Sequence, residues 1–92
     1  MIGVLVPAHD EQALIGGCLE SLRAAAGCPR LGGEPVLVVV ALDRCRDATA
    51  RICAEAGVAT VCLAACNVGR ARAAAAEVLL QAGARWLAST DA

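Results

Sequence analysis

Acidic and basic side chains recur directly after the apolar segments of this sequence, and their types limit the chemistry they could do. The acidic residues at these places are Asp10, Glu11, Asp43, Asp47 and Asp91. Carboxylates could accept hydrogen bonds from hydroxyl or nucleobase N–H groups, or bind a hard divalent cation. They could hold a phosphate only through such a cation or through an arginine. The nearby arginines are Arg44, Arg46, Arg70 and Arg72.

Four apolar segments predict the β-strands that must position these side chains. The clearest is 36–42, where seven apolar residues, four of them Val, lead into the polar segment that begins at Asp43. A short run rich in β-branched residues is typical of a strand buried on both faces. Pro7 has no N–H and is expected to close the first strand. The predicted strands are 2–6, 36–42, 58–63 and 85–90, and the predicted helices are 11–26, 48–56 and 68–82.

The order β-α-β-α-β-α-β predicts an α/β fold. We expect a Rossmann-like open parallel sheet of four strands in the order 3-2-1-4, with right-handed crossovers and helices on both faces. The carboxyl ends of parallel strands meet at one edge of the sheet, where ligands bind in such folds. The segments 7–11, 42–47, 64–69 and 89–91 are therefore expected to lie together.

Several residues at these element ends also have structural interpretations. Asp10, Asp47 and Asn67 are each placed to cap the helix that follows, and capping is the favoured role of the last two. Asp43 follows a buried strand and has no capping register, so we expect it to lie near any ligand site. His9 lies in a loop beside two carboxylates, and we expect it to be solvated rather than catalytic.

Composition excludes several classes of function. The chain has 92 residues, 59% of them hydrophobic, and a net charge of −1 with eight arginines and no lysine. It has no basic excess, and Trp86 is its one aromatic residue, so no nucleic-acid partner is expected. The absence of lysine and of a Gly-rich first turn excludes the common phosphate-binding loops. No membrane helix or signal peptide is evident, which predicts a cytoplasmic protein or the soluble part of a larger one.

Six cysteines are many for a chain of this length. An even number suggests a disulfide scaffold only in a secreted protein, and a secretory context is missing. No C-x-x-C pair occurs, so zinc-knuckle and thioredoxin-like spacings are absent as well. Most of the cysteines lie among apolar residues, where we expect them to pack as small hydrophobic side chains. Cys45 is the exception, because it lies in the charged segment after the second strand.

Four short motifs follow one another along the chain: IGVLVPAHDE at 2–11, LDRCRDAT at 42–49, NVG at 67–69 and TDA at 90–92. The first resembles the opening of family 2 glycosyltransferases, where a strand ends in a Pro-Ala-x-Asn-Glu-like segment. The second is similar to their Asp-Asp-Gly-Ser-x-Asp-x-Thr segment. The third resembles their Asn-x-Gly helix start, and the fourth the beginning of their Asp-x-Asp metal motif. The motifs occur in the family's order and together span the chain.

The resemblance implies a GT-A fold that binds a UDP- or GDP-linked nucleotide-diphosphate sugar, usually with Mg²⁺ or Mn²⁺. Asp43 would accept a hydrogen bond from the nucleobase, and Pro7, Ala8 and Glu11 would line the nucleoside pocket. Asp91 would be the first carboxylate of the metal motif. The cation would neutralise the departing diphosphate.

Arg72 is a further candidate for contact with the donor. It lies in the first turns of a predicted helix, where its positive charge opposes the helix dipole. An anionic partner would offset this unfavourable placement. A bound anion and plain solvation both remain open for this side chain.

The sequence departs from the family pattern at three positions: Asp10, Leu42 and Arg44 stand where the family has Asn, Asp and Gly. The chain also ends one residue before the second metal carboxylate, and the acceptor half with the catalytic base is absent. The catalytic residues are therefore unknown. We expect residues 1–92 to form a single partial domain, the donor-nucleotide half of a glycosyltransferase, which is inactive alone. The alternative is a non-catalytic Rossmann-like module for binding or assembly.

The predicted strand order leaves the segment 85–90 at an edge of the sheet. Exposed edge strands pair readily with other chains. We therefore expect homo-oligomerisation through this strand or through helix faces left bare.

Overall fold

The computed structural model describes residues 1–91, and within this range it has four strands and three α-helices. The strands are β1 (Ile2–Ala8), β2 (Val36–Asp43), β3 (Ala59–Leu63) and β4 (Trp86–Ser89). The helices are α1 (Ile15–Ala26), α2 (Thr49–Ala56) and α3 (Val68–Gln81), and a 3₁₀ turn covers Pro29–Leu31. All strand pairs are parallel, in the order β3-β2-β1-β4. The predicted Rossmann-like α/β sheet and its strand order are confirmed.

Helices α1 and α2 cover one face of the sheet. Ile15 of α1 and Cys53 of α2 are fully buried there, against Val6 of β1 and Val40 of β2. The buried strands carry apolar residues on both faces, because helices cover both. This explains why the apolar run of β2 is continuous rather than alternating.

Helix α3 covers the other face through small side chains. Ala71, Ala75 and Leu79 are spaced by four residues, so they lie on one side of the helix, and they are buried with Leu5 of β1. A Cβ atom added at Gly3 would lie 3.0 Å from both terminal carbons of Leu79. Glycine in β1 therefore lets α3 approach the sheet closely.

Strand β1 continues past Pro7, so the prediction that proline closes it is wrong. Pro7 pairs with Ala41, and the pairing with β2 extends to Ala8. The Leu5 carbonyl accepts a hydrogen bond from Thr90 N–H, on the β4 side of the strand. Strand alternation places the nitrogen of Pro7 on that same side, beyond the last residue of β1 that pairs with β4. The missing N–H therefore interrupts no ladder.

Helix α1 begins at Ile15, four residues later than predicted. The N–H groups of Leu14 and Ile15 both donate to the Glu11 carbonyl, at 3.0 and 2.8 Å, and residues 12–14 form a turn. The prediction that Asp10 caps this helix is also wrong: the helix has no side-chain cap. The other element boundaries differ from the predicted ones by at most one residue.

All six cysteines lie in the described residues as free thiols. Cys53 is buried, and Cys18 and Cys45 are half-buried against the same core. Cys28 is half-buried, whereas Cys62 and Cys66 are exposed. The expectation of core packing therefore holds for Cys18 and Cys53, and not for the two cysteines on and after β3. The prediction that Cys45 is the exception is wrong, because its side chain packs against the core that α1 and α2 cover.

None of the helices in residues 1–91 has the length and apolar character that a membrane crossing requires.

Strand β4 is an exposed edge, and we expect it to mediate self-association. All four of its residues are exposed, and Trp86 remains 57% exposed. Sedimentation velocity over a range of concentrations should show a monomer–oligomer equilibrium for the wild-type chain. Trp86→Lys should shift this equilibrium toward monomer, because an edge lysine opposes strand pairing. A wild-type chain that stays monomeric at the highest concentration would contradict this expectation.

Candidate functional site

The carboxyl ends of the strands open onto a cleft of about 400 Å³. From β1 the chain adds β2 and β3 on one side of the sheet and then crosses to add β4 on the other side of β1. Ligands of open α/β sheets bind at such a switch point. Of the residues predicted for the site, the cleft brings together Pro7, Ala8, Glu11, Asp43 and Asp91. Arg72 lies outside the lining residues. The end of β2 and the segments that follow β1, β3 and β4 therefore contribute to one concave site.

Asp43 lines this cleft and is 4% exposed. One carboxylate oxygen accepts hydrogen bonds from the N–H groups of Ala65 and Cys66, each at 2.9 Å. The other accepts from Asn67 N–H at 2.8 Å. The end of β2 is thereby tied to the turn that leads into α3, which satisfies a buried charge with three donors.

The protonation of Asp43 is governed by two opposing effects. Burial raises its pKa, but the three backbone N–H groups outweigh burial, and the pKa lies below its ordinary value. A carboxylate with a depressed folded-state pKa stabilises the fold at every pH above its unfolded pKa, about 3.9. This stabilisation is lost as the pH falls through the lower folded-state pKa.

Asn67 links the same turn to helix α3. Its side-chain oxygen accepts a hydrogen bond from Arg70 N–H at 2.9 Å, which confirms the predicted helix cap. Its own N–H donates to the Asp43 carboxylate. The start of α3 is therefore fixed both to its own first turn and to the end of β2.

The loops after β1 and β2 are joined by reciprocal hydrogen bonds. Asp10 Oδ1 accepts from Arg46 N–H at 2.7 Å and from Asp47 N–H at 3.3 Å, which explains why this carboxylate is unavailable as a cap. Gln12 N–H donates to Asp47 Oδ2 at 3.1 Å, and Gln12 Oε1 accepts from Ala48 N–H at 3.0 Å. The two loops therefore form one layer beside the cleft.

Asp47 and Thr49 complete this layer at the start of α2. Asp47 Oδ1 accepts from the Thr49 hydroxyl and from Thr49 N–H, and the buried Thr49 oxygen in turn accepts from Glu11 N–H at 2.9 Å. Hydrogen bonding by the Thr49 hydroxyl lowers the pKa of Asp47, and burial only partly opposes this effect. The N-cap position belongs to Ala48 rather than to the predicted Asp47, but the Asp47 carboxylate does bond to the helix start.

Three non-glycine residues adopt left-handed backbone conformations, and each follows a different strand. The φ angles are 49° at Asp10, 53° at Arg44 and 47° at Cys66. Such conformations are uncommon for residues other than glycine, and they are often found at functional sites. Their coincidence at one edge of the sheet marks this edge as the specialised part of the fold.

Arg72 and Asp91 form an ion pair at the β4 side of the cleft. Arg72 Nη2 lies 3.2 Å from Asp91 Oδ1, and Arg72 Nε donates to the Ser89 hydroxyl at 3.2 Å. The positively charged Arg72 side chain, which opposes the α3 dipole, therefore has an anionic partner within the chain. The Asp91 side chain is 76% exposed and that of Arg72 is 43% exposed, so solvent screening keeps this pair weak.

The described residues provide few ligands for a cation. Within 1–91 there is no group of three or more His, Cys, Asp or Glu side chains arranged to hold a metal. Asp91 stands alone at the place predicted for metal binding. Mg²⁺ is commonly held by one or two carboxylates together with substrate phosphates, so Asp91 fits that mode when a phosphate completes the set.

The His9 side chain makes a specific contact that its position in a loop did not predict. Its Nδ1 lies 2.7 Å from the Asp43 carbonyl oxygen, while 59% of the side chain is exposed at the cleft. Sequence reasoning predicted a solvated side chain and missed this contact, which spans 34 positions of sequence. It also missed Val68 and Ala71, which line the cleft and carry no chemical signature in the sequence.

Comparison with known proteins found no matching family model, no matching curated protein and no matching solved structure.

Replacing Asp43 tests how far the cleft depends on its carboxylate. In Asp43→Asn the amide NH₂ would face an N–H donor, so at least one hydrogen bond of the 65–67 turn is lost. We expect the melting temperature at pH 7 to fall by at least about 4 °C. The exposed Glu55→Gln, whose carboxylate makes only an i,i+4 ion pair, serves as the control and should melt like the wild type.

The same pair of variants gives a pH dependence. The gap in unfolding free energy between wild type and Asp43→Asn should narrow as the pH falls below about 4, because the unfolded wild-type chain is then protonated at Asp43 while the folded chain keeps this charge down to a lower pH. Urea denaturation at several pH values measures this. A gap that stays constant down to the acid-unfolding limit would contradict the proposed role of the charged carboxylate.

Proposed function

We propose that this chain is the donor-nucleotide half of a family 2-like glycosyltransferase and binds a nucleotide-diphosphate sugar. One observation carries the proposal. Sequence motifs that lie far apart in the chain pointed to Pro7, Ala8, Glu11, Asp43 and Asp91, and all five line a single cleft at the carboxyl edge of the sheet. That edge is where open α/β sheets bind ligands.

Two of the positions at which the sequence departs from the family pattern have a local geometry that supports the proposal. Arg44 stands at the family's glycine position and has a φ of 53°, a conformation that glycine adopts without strain. Asp10 stands at the family's asparagine position and accepts two backbone N–H bonds through one oxygen, as an asparagine carbonyl also could. Both positions keep the geometry that the usual residue would serve.

The chemistry of the cleft suits a nucleoside diphosphate. Its size, about 400 Å³, falls within the range of small-molecule sites. Pro7, Ala8 and Glu11 would line the nucleoside, and Arg72 would turn from Asp91 toward the diphosphate. Asp91 and the phosphates would then hold Mg²⁺ or Mn²⁺, which would neutralise the charge of the diphosphate.

The residues present would bind and orient the donor but would not complete the transfer. We propose no cleft residue as the base that activates the sugar acceptor. We therefore expect the 92-residue chain to transfer no sugar alone. A cytoplasmic location forms part of the proposal, because all six thiols are free and nucleotide binding needs no oxidising compartment.

Calorimetric titration tests the proposal through Arg72. Wild-type chain should bind UDP or GDP in the presence of Mn²⁺, and Arg72→Gln should weaken UDP binding by about tenfold through loss of one charged contact. Uridine, which lacks the diphosphate, should bind both proteins equally. Arg51→Gln is the matched control, because Arg51 is exposed on α2 and pairs only with Glu55.

A chain that binds neither UDP nor GDP at millimolar concentration would contradict the proposal. That result would leave the alternative of a non-catalytic module for binding or assembly. Sugar transfer by the isolated chain would overturn the claim that the transfer machinery is incomplete.

A further inference from the structure

The tautomer of His9 is fixed by its contact with β2. Its Nδ1 lies 2.7 Å from the Asp43 carbonyl oxygen. A carbonyl oxygen can only accept, so Nδ1 must carry a proton and donate it. In the neutral ring Nε2 is then the unprotonated nitrogen and a hydrogen-bond acceptor.

This acceptor is free and accessible. Within residues 1–91, Nε2 makes no hydrogen bond, and the nearest acidic oxygen, Asp10 Oδ2, is 3.8 Å away. That distance exceeds a hydrogen bond. The imidazole lines the cleft beside Pro7 and Glu11, with more than half of its side chain exposed. A ligand in the cleft could therefore donate to Nε2 directly.

Asp43 is less suited to the same task. Its carboxylate is almost fully buried, and three backbone N–H groups already donate to its two oxygens. It has about four acceptor positions in all. Its effect on a ligand is then mainly indirect, because its carbonyl fixes the orientation of His9 and its carboxylate fixes the turn before α3.

We propose that His9 Nε2 is the group that reads the nucleobase, by accepting a hydrogen bond from a ring N–H; this inference rests on the proposed nucleotide-binding function. A ring N–H beside a carbonyl is offered by uracil and guanine. Cytosine presents an unprotonated ring nitrogen at the corresponding position. In CDP this nitrogen and His9 Nε2 would both be acceptors, so no hydrogen bond could form between them. His9 therefore selects UDP and GDP over CDP.

The deciding variant is His9→Asn. The asparagine NH₂ can still donate to the Asp43 carbonyl in place of Nδ1, and its Oδ1 then lies near the position of the ring Cδ2 and does not reach that of Nε2. Calorimetry with UDP and Mn²⁺ should show binding about tenfold weaker than for wild type, the loss of one hydrogen bond. UDP methylated at uracil N3 lacks the donor and should bind wild type and His9→Asn equally weakly.

Imidazole ¹⁵N chemical shifts of the wild-type chain provide a test that needs no variant. At a pH where the ring is neutral, we expect the Nδ1-protonated tautomer, which is the minor form of free histidine. On addition of UDP the Nε2 resonance should shift as it accepts a hydrogen bond from the base. An Nε2-protonated ring in the nucleotide-free chain would overturn the proposal.

The outcomes separate this inference from the function on which it rests. If wild type and His9→Asn bind UDP equally, the role of His9 is wrong and nucleotide binding stands. The role of His9 is equally wrong if CDP binds wild type as tightly as UDP does. If the wild-type chain binds no nucleotide, both the proposed function and the role of His9 are overturned.

Discussion

The hydrogen bonds between the Asp43 carboxylate and the turn 65–67 are the constraint on which the rest of the site depends. They tie the end of β2 to the start of α3 with three charge-assisted bonds to a nearly buried group. The carbonyl of the same residue orients His9 in the loop after β1. One residue therefore sets the positions of the loops on both sides of the cleft, and its own charge is satisfied by the backbone it positions.

The remaining edge contacts hold the loops of this arrangement together without a ligand. Asp10 and Gln12 fasten the first loop to the second, and Thr49 is buried between them. Gly3 lets the last turn of α3, at Leu79, lie close to the start of β1, while Asn67 ties the first turn of the helix to Asp43. A preorganised cleft lowers the entropic cost of binding, so a small domain with few charged groups could still bind a nucleotide.

The fold could be predicted because its signals are local: the apolar run 36–42, the glycine after α2 and the cap at Asn67 each act within a few positions. For the site, the residues at the strand ends could be predicted, but the hydrogen bonds among them could not. The partners of Asp43 lie 22 to 24 positions away, and those of Asp10 lie 36 and 37 away. No local pattern reveals such pairs. The prediction that Pro7 ends β1 is wrong because a proline is accepted there only if β4 ends before it, and the sequence around Pro7 does not show where β4 ends.

The most direct test of the central claim, that four strand ends form one nucleotide site, is paramagnetic broadening of amide NMR signals by Mn²⁺ bound with UDP. We predict strong broadening of Asp91 and its neighbours, weaker broadening at His9 and Asn67, and sharp signals at Gly57 and Gly83, on turns that precede β3 and β4. Broadening centred at the amino ends of the strands, or spread evenly over the chain, would contradict this claim.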